Sequence, residues 1–164
     1  VARVMLAASG QSPARIQRAD SLRRRGAAPG TALPALEALW NEHGCGPVGF
    51  DLVLTNPPFA GDIGPEYAHD YELAQGRRVE RDVLFIERCI ELLKPGGRLA
   101  IVLPHNKVGG EKWAFVRHWL LRHLQVVAVL SLGRNTFLPH TGQKACVLSS
   151  GWPARWPRVP ARPR

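Results

Sequence analysis

Residues 81–104 read RDVLFIERCIELLKPGGRLAIVLP, and a change of period inside this stretch decides the fold class. Val83, Ile86, Ile90 and Leu93 recur at spacings of 3, 4 and 3, which is one face of a helix, and Asp82 stands before it as a candidate cap. Lys94-Pro95-Gly96-Gly97 then offers a cation, a helix breaker and a glycine C-cap. Residues 99–103 (LAIVL) follow as an unbroken apolar run, the pattern of a strand covered on both faces. Upstream, FDLVLT at 50–55 is a short apolar strand that stops at Asn56-Pro57-Pro58, where two prolines forbid both helix and ladder. Downstream, Trp113, Val116, Leu120 and Leu124 mark a second helix, 126–132 another buried strand and 145–148 a last one. Strand, helix, strand, helix, strand predicts right-handed crossovers and an α/β fold with a parallel sheet.

The remainder of the 164 residues carries weaker signals. A helix fits 1–8, a short strand 15–19 and a short helix the spacing of Leu33, Leu36 and Trp40. No apolar run is long enough to span a membrane, and the first ten residues are too short and weakly apolar for a signal segment. Cys45, Cys89 and Cys146 are odd in number and lack metal-ligand spacing, which excludes a disulfide scaffold or zinc ribbon and points to a reducing cytoplasm. Cys89 in a helix and Cys146 in a strand read as small buried hydrophobes.

The net charge of +9 invites a nucleic-acid reading, but its distribution weakens it. Residues 1–30 hold six arginines against Asp20, and 151–164 hold four arginines and no acid. Between them, twelve cations balance twelve acids. The chemistry therefore has to be read from a motif and not from bulk charge.

That motif is Asn56-Pro57-Pro58-Phe59, at the carboxyl end of a strand, where ligands sit in open α/β sheets. An exocyclic amine on a purine is a poor nucleophile because its lone pair is delocalised into the ring. Two acceptors that take both N–H hydrogens draw the nitrogen toward tetrahedral geometry and stabilise the charge that develops. The Asn56 side-chain oxygen and the Pro57 carbonyl are such acceptors, the prolines pre-set the backbone, and Phe59 offers a flat face for an extruded base. Residue by residue, the ordinary alternatives are a turn-forming Asn before proline, loop packing for Phe59 and Phe137, and a turn or cap for Asp20. His105 and His140 read as polar loop residues.

FDLVLTNPPFAG resembles the catalytic motif of adenine-specific (N6) DNA methyltransferases. RDVLFIERCIELLKPGGRLAIVLP and NTFLPHTGQKACVL resemble the following helix, strand and loop in the modification subunits of type I restriction systems. Together these blocks cover roughly residues 50–148. The resemblance implies a partial S-adenosylmethionine-dependent methyltransferase (Rossmann-like) fold, mostly parallel, with flanking helices and its first strands missing. It implies that Asn56, Pro57 and Pro58 form the catalytic turn that binds the target amine, and that Phe59 and Phe137 stack on the flipped adenine. ADSL at 19–22 resembles the block whose acid contacts the cofactor's adenine amine, which nominates Asp20. The cofactor is then S-adenosylmethionine, without a metal. The partners are double-stranded DNA, a specificity subunit and a restriction subunit.

Neither the family's glycine-rich loop nor its ribose-binding acid is found, since Gly44, Gly46, Gly109 and Gly110 fall in the wrong places. The expectation is a partial catalytic domain over 1–149, with little cofactor binding or activity alone, and an open apolar edge on the strand bearing the motif. Residues 150–164 are expected to be a disordered Pro/Arg tail, of the kind a frameshifted reading-frame end would produce. The rival readings are a methyltransferase acting on RNA guanine or protein glutamine, and a non-catalytic basic nucleic-acid-binding remnant.

Overall fold

The computed structural model describes residues 10, 20–22, 49–59 and 61–152. Contacts divide the chain into two units, Val1–Gly46 and Pro47–Arg164, each taken by itself. The boundary falls within the span expected as one domain. The elements expected at 1–8, 15–19 and 33–40 lie outside the described residues, as do Arg23, Arg24, Arg25, Cys45 and residues 153–164 of the expected tail, whereas Ser150 and Gly151 of that tail belong to the last strand and the Trp152 N–H donates to the Gly97 carbonyl at 2.9 Å.

In the second unit, β1 (Phe50–Thr55) leads through α1 (Pro65–Ala68) and a 3-10 turn (Glu72–Ala74) to α2 (Arg81–Glu91) and β2 (Leu93–Pro104). Then come α3 (His105–Gly109), a 3-10 turn (Glu111–Trp113), α4 (Ala114–His123), β3 (Gln125–Ser131) and β4 (Ala145–Gly151). The sheet order is β1-β2-β4-β3. β1 and β2 run parallel, while β4 lies antiparallel to both β2 and β3. The α/β class and a sheet with three strands pointing one way agree with expectation, and the direction of β4 corrects it. No helix intervenes between β3 and β4, so the chain returns as a wide hairpin, which can only be antiparallel. β4 fills the slot that the α4 crossover leaves between β2 and β3.

The predicted helix faces form the core. Val83, Ile86, Ile90 and Leu93 are buried, as are Trp113, Val116, Leu120 and Leu124, against Leu99, Ile101, Leu103, Cys146 and Leu148. Each such aliphatic side chain contributes about 1.5–3 kcal/mol when fully removed from water. Cys89 and Cys146 are buried free thiols, and burial pushes the Cys89 thiol up to about 12.

Four local expectations change. Asp82 is not the cap of α2. Glu80 occupies that position without a side-chain cap bond, and Asp82 turns inward and is fully buried. Lys94–Gly97 is not a C-cap either, because the helix ends at Leu92 in an ordinary right-handed conformation. Instead these four residues bulge out of β2, since Leu93 pairs with Phe50 but Arg98 with Leu52. β3 is exposed where a buried strand was expected, with Val127 71% and Leu130 58% accessible. It ends the described sheet, and among the described residues nothing covers Val127, Val129 and Leu130. Covering of β2 is likewise incomplete on one face, where Ala100 and Val102 are only half-buried. β1 lies at the opposite end of the described sheet, with Leu52 53% and Leu54 68% accessible.

Entry into β1 is set by Gly49, whose φ of +88° is favoured by glycine. A Cβ there would stand 2.6 Å from the Leu93 carbonyl carbon. Immediately after it, the Phe50 N–H donates to the Leu92 carbonyl at 2.7 Å. Among the described residues, no helix is long and apolar enough to cross a membrane.

Candidate functional site

Because β1, β2 and β3 point the same way, their carboxyl ends lie on one edge of the sheet. Three segments leave the sheet there: Asn56 to Phe59 after β1, α3 after β2, and the 132–144 loop after β3. The His105 N–H donates to the Lys144 carbonyl at 2.8 Å, tying α3 to the end of that loop.

Pro57 is buried at the root of the turn, while Asn56 and Pro58 are exposed and Phe59 is half-buried. Among the described residues, neither the Asn56 side chain nor the Pro57 carbonyl has a hydrogen-bond partner. Two acceptors adjacent in sequence are therefore left unsatisfied by the described residues. The 132–144 loop brings Phe137 to Phe59, with ring centroids 5.5 Å apart and planes at 83°, an edge-to-face pair. That loop is held by the Thr136 hydroxyl and N–H on the Gly133 carbonyl and by the Thr141 N–H on the Phe137 carbonyl. Sequence reasoning named both rings, and the fold brings them together.

Asp20 belongs to the first unit, where its Oδ1 accepts the Leu22 N–H at 3.1 Å in a local turn. His105 is half-buried at the start of α3 and His140 is exposed in the 132–144 loop.

Beneath the same edge lies a charged cluster that the sequence did not reveal. Lys107, on α3, is 1% exposed, and its ammonium meets Glu80 Oε2 at 2.7 Å and Asp82 Oδ1 at 3.6 Å. The ammonium also stands 3.6 Å from the centre of the Trp113 ring. Burial pushes the Asp82 carboxyl up to about 6, opposed by the attraction of Lys107 and reinforced by the nearby Glu80. Asp82 Oδ1 accepts the Val83 N–H at 3.0 Å, whereas Oδ2 is buried with no partner. From this cluster, contacts run back toward the turn. The Arg81 N–H donates to the Gly61 carbonyl at 3.2 Å, and Asp62 and Glu80 form an isolated antiparallel bridge.

Comparison with known proteins agrees with the topology. The methylase subunit of the Escherichia coli type I restriction enzyme EcoEI is 30% identical over 99 residues, 60% of this chain. The match takes in 20% of that relative, so the chain spans about a fifth of its length. A solved type I restriction–modification system is 29% identical, with a TM-score of 0.56, covering 64% of this chain and 22% of that one. The methyltransferase subunit of the type I system of Streptococcus thermophilus shares the fold over 92% of this chain and 30% of its own, with 23% identity and a TM-score of 0.65. The family model for N-6 DNA methylase matches residues 8–149. A match over that much of its length, carrying the motif turn and both rings within it, makes the chain a member of the N-6 DNA methylase family.

Proposed function

We infer that this chain is the target-base part of an enzyme that transfers a methyl group from S-adenosylmethionine to the exocyclic N6 amine of adenine in DNA. The observation that carries this reading is the pair of acceptors, the Asn56 amide and the Pro57 carbonyl, that have no partner among the described residues and flank the Phe59–Phe137 rings in the chain. A purine amine has two N–H donors on one planar nitrogen, and two adjacent acceptors match it. In this role Asn56 Oδ1 and the Pro57 carbonyl each take one hydrogen, and Pro57 and Pro58 hold the turn so that little reorganisation is needed. Phe59 and Phe137 receive the face and edge of a base turned out of the duplex.

S-adenosylmethionine, when bound, supplies an electrophilic methyl group on its sulfonium. Asp20 is proposed for its adenine amine, and the described residues do not by themselves make up a site for it. The relatives are methylase subunits of type I restriction enzymes. Double-stranded DNA, a specificity subunit and a restriction subunit are accordingly the proposed partners.

The amine reading is tested without the cofactor by nuclear magnetic resonance titration of the chain with adenosine, inosine and guanosine monophosphates. Adenosine is expected to shift the Asn56 amide and both ring systems. Inosine, which lacks the amine, is expected to leave the Asn56 amide unmoved. Asn56→Ala should abolish the distinction between the two nucleotides. A stronger response to guanosine than to adenosine would overturn the adenine assignment. In an active methylase, loss of one acceptor is expected to cost about 10²–10³ in rate.

A further inference from the structure

A buried ammonium demands an explanation, because its desolvation is unfavourable unless its partners are well placed. Lys107 sits on a five-residue helix directly after β2, and methionine of similar length would fill its place without that cost. What the charge achieves is a fixed position for Glu80. The Glu80 carboxylate receives the ammonium at 2.7 Å, while the Glu80 backbone bridges Asp62. Its neighbour Arg81 donates to the Gly61 carbonyl. Gly61 and Asp62 are the chain on which the Asn56 to Phe59 turn runs out.

We propose that Lys107 is a positioning residue for the amine-binding turn, clamping Glu80 so that the Gly61–Asp62 segment holds Asn56 to Phe59 at the carboxyl end of β1. The role rests on the reading of that turn as the amine site. Lys107 touches no substrate and acts through Glu80. Asp82 and the Trp113 face flank the ammonium and keep its direction, so that the shortest contact falls on Glu80. The clamp also joins the two strands that bear the site, since α3 continues β2 and the turn continues β1.

Hydrogen exchange on the 164-residue chain tests the clamp, with Lys107→Met, Lys107→Arg and Glu80→Gln as variants. The reporter is the Arg81 amide, compared with the Leu148 amide in the central strand β4. Lys107→Met and Glu80→Gln are expected to accelerate Arg81 at least tenfold relative to Leu148, and Lys107→Arg to recover most of the protection. Acceleration of both amides in step would show a merely structural lysine and overturn the proposal. If Lys107→Met fails to fold, Glu80→Gln and Lys107→Arg carry the same comparison. In the adenosine titration, Lys107→Met is expected to weaken binding fivefold or more without abolishing the discrimination against inosine. Loss of the clamp in exchange with wild-type indifference to the amine would reject the amine site and leave the clamp standing. Amine discrimination with an unchanged Arg81 amide would reject the clamp alone.

Discussion

Phe59 and Phe137 stand edge to face at 5.5 Å, one on the turn after β1 and the other on the loop between β3 and β4. The pair joins two of the segments that leave the sheet at its carboxyl edge. Edge-to-face pairs are worth about 0.5–1.5 kcal/mol beyond area burial. A double-mutant cycle of Phe59→Ala and Phe137→Ala in urea is expected to return a coupling in that range. A coupling of zero would mean that the rings do not hold the loop. Either alanine variant is also expected to weaken adenosine binding by roughly 5- to 150-fold, the worth of about 1–3 kcal/mol of base stacking.

Asp82 makes a pH-dependent contribution with a defined sign. Burial raises its carboxyl from 3.8 to about 6, so between these values the folded chain binds a proton that the unfolded chain has released. Stability from this group is therefore complete below pH 3.8 and is lost as the pH rises through about 6. Subtracting the urea stability curve of Asp82→Asn from that of the wild type is expected to leave a fall across this window. Lys107 pulls the carboxyl down, so in Lys107→Met the same fall is expected at higher pH. A flat difference curve would show that Asp82 titrates as an ordinary surface acid.

Glu87, buried on α2, accepts the N–H groups of Glu72 and Leu73 with its two carboxylate oxygens, both at 2.9 Å. It thereby anchors the 3-10 turn that leads toward the Glu80 clamp. Bonds to a charged acceptor contribute about 1.5–3 kcal/mol each. Glu87→Gln keeps the shape but offers one acceptor oxygen and sets an N–H donor against another N–H. A loss of about 1–3 kcal/mol is expected in urea unfolding, with faster exchange of the Glu72 and Leu73 amides.

How far the sequence could be read depended on whether the signal was local. The faces Val83–Ile86–Ile90 and Val116–Leu120 were legible because helical periodicity records which residues point inward, and the motif turn because its prolines forbid other structure. The direction of β4 was not legible, since four apolar residues carry no mark of polarity along the chain. β3 was misjudged because an apolar run reports composition and not whether a covering layer exists. Asp82 illustrates a third failure. An acid in the first turn of a helix ordinarily faces solvent and the helix dipole, and only the tertiary approach of Lys107 turns this one inward.

The backbone before β1 offers a test of how strictly the motif strand is registered. Gly49 and Gly76 both adopt left-handed φ values, +88° and +64°. Alanine at either position meets the intrinsic penalty of that conformation, about 1–2 kcal/mol. At Gly76 nothing lies within 4 Å of the added methyl, so Gly76→Ala is expected to cost that much and no more. At Gly49 the methyl would stand 2.6 Å from the Leu93 carbonyl carbon and 2.7 Å from the Leu92 carbonyl oxygen, which belong to backbone and cannot swing aside. Gly49→Ala is therefore expected to exceed Gly76→Ala by about 1–3 kcal/mol, the usual cost of overpacking. It is also expected to weaken the Phe50 N–H bond to Leu92 that begins the β1–β2 pairing, exposing the Phe50 amide to exchange. Equal costs at the two glycines would show that β1 enters the sheet with room to spare.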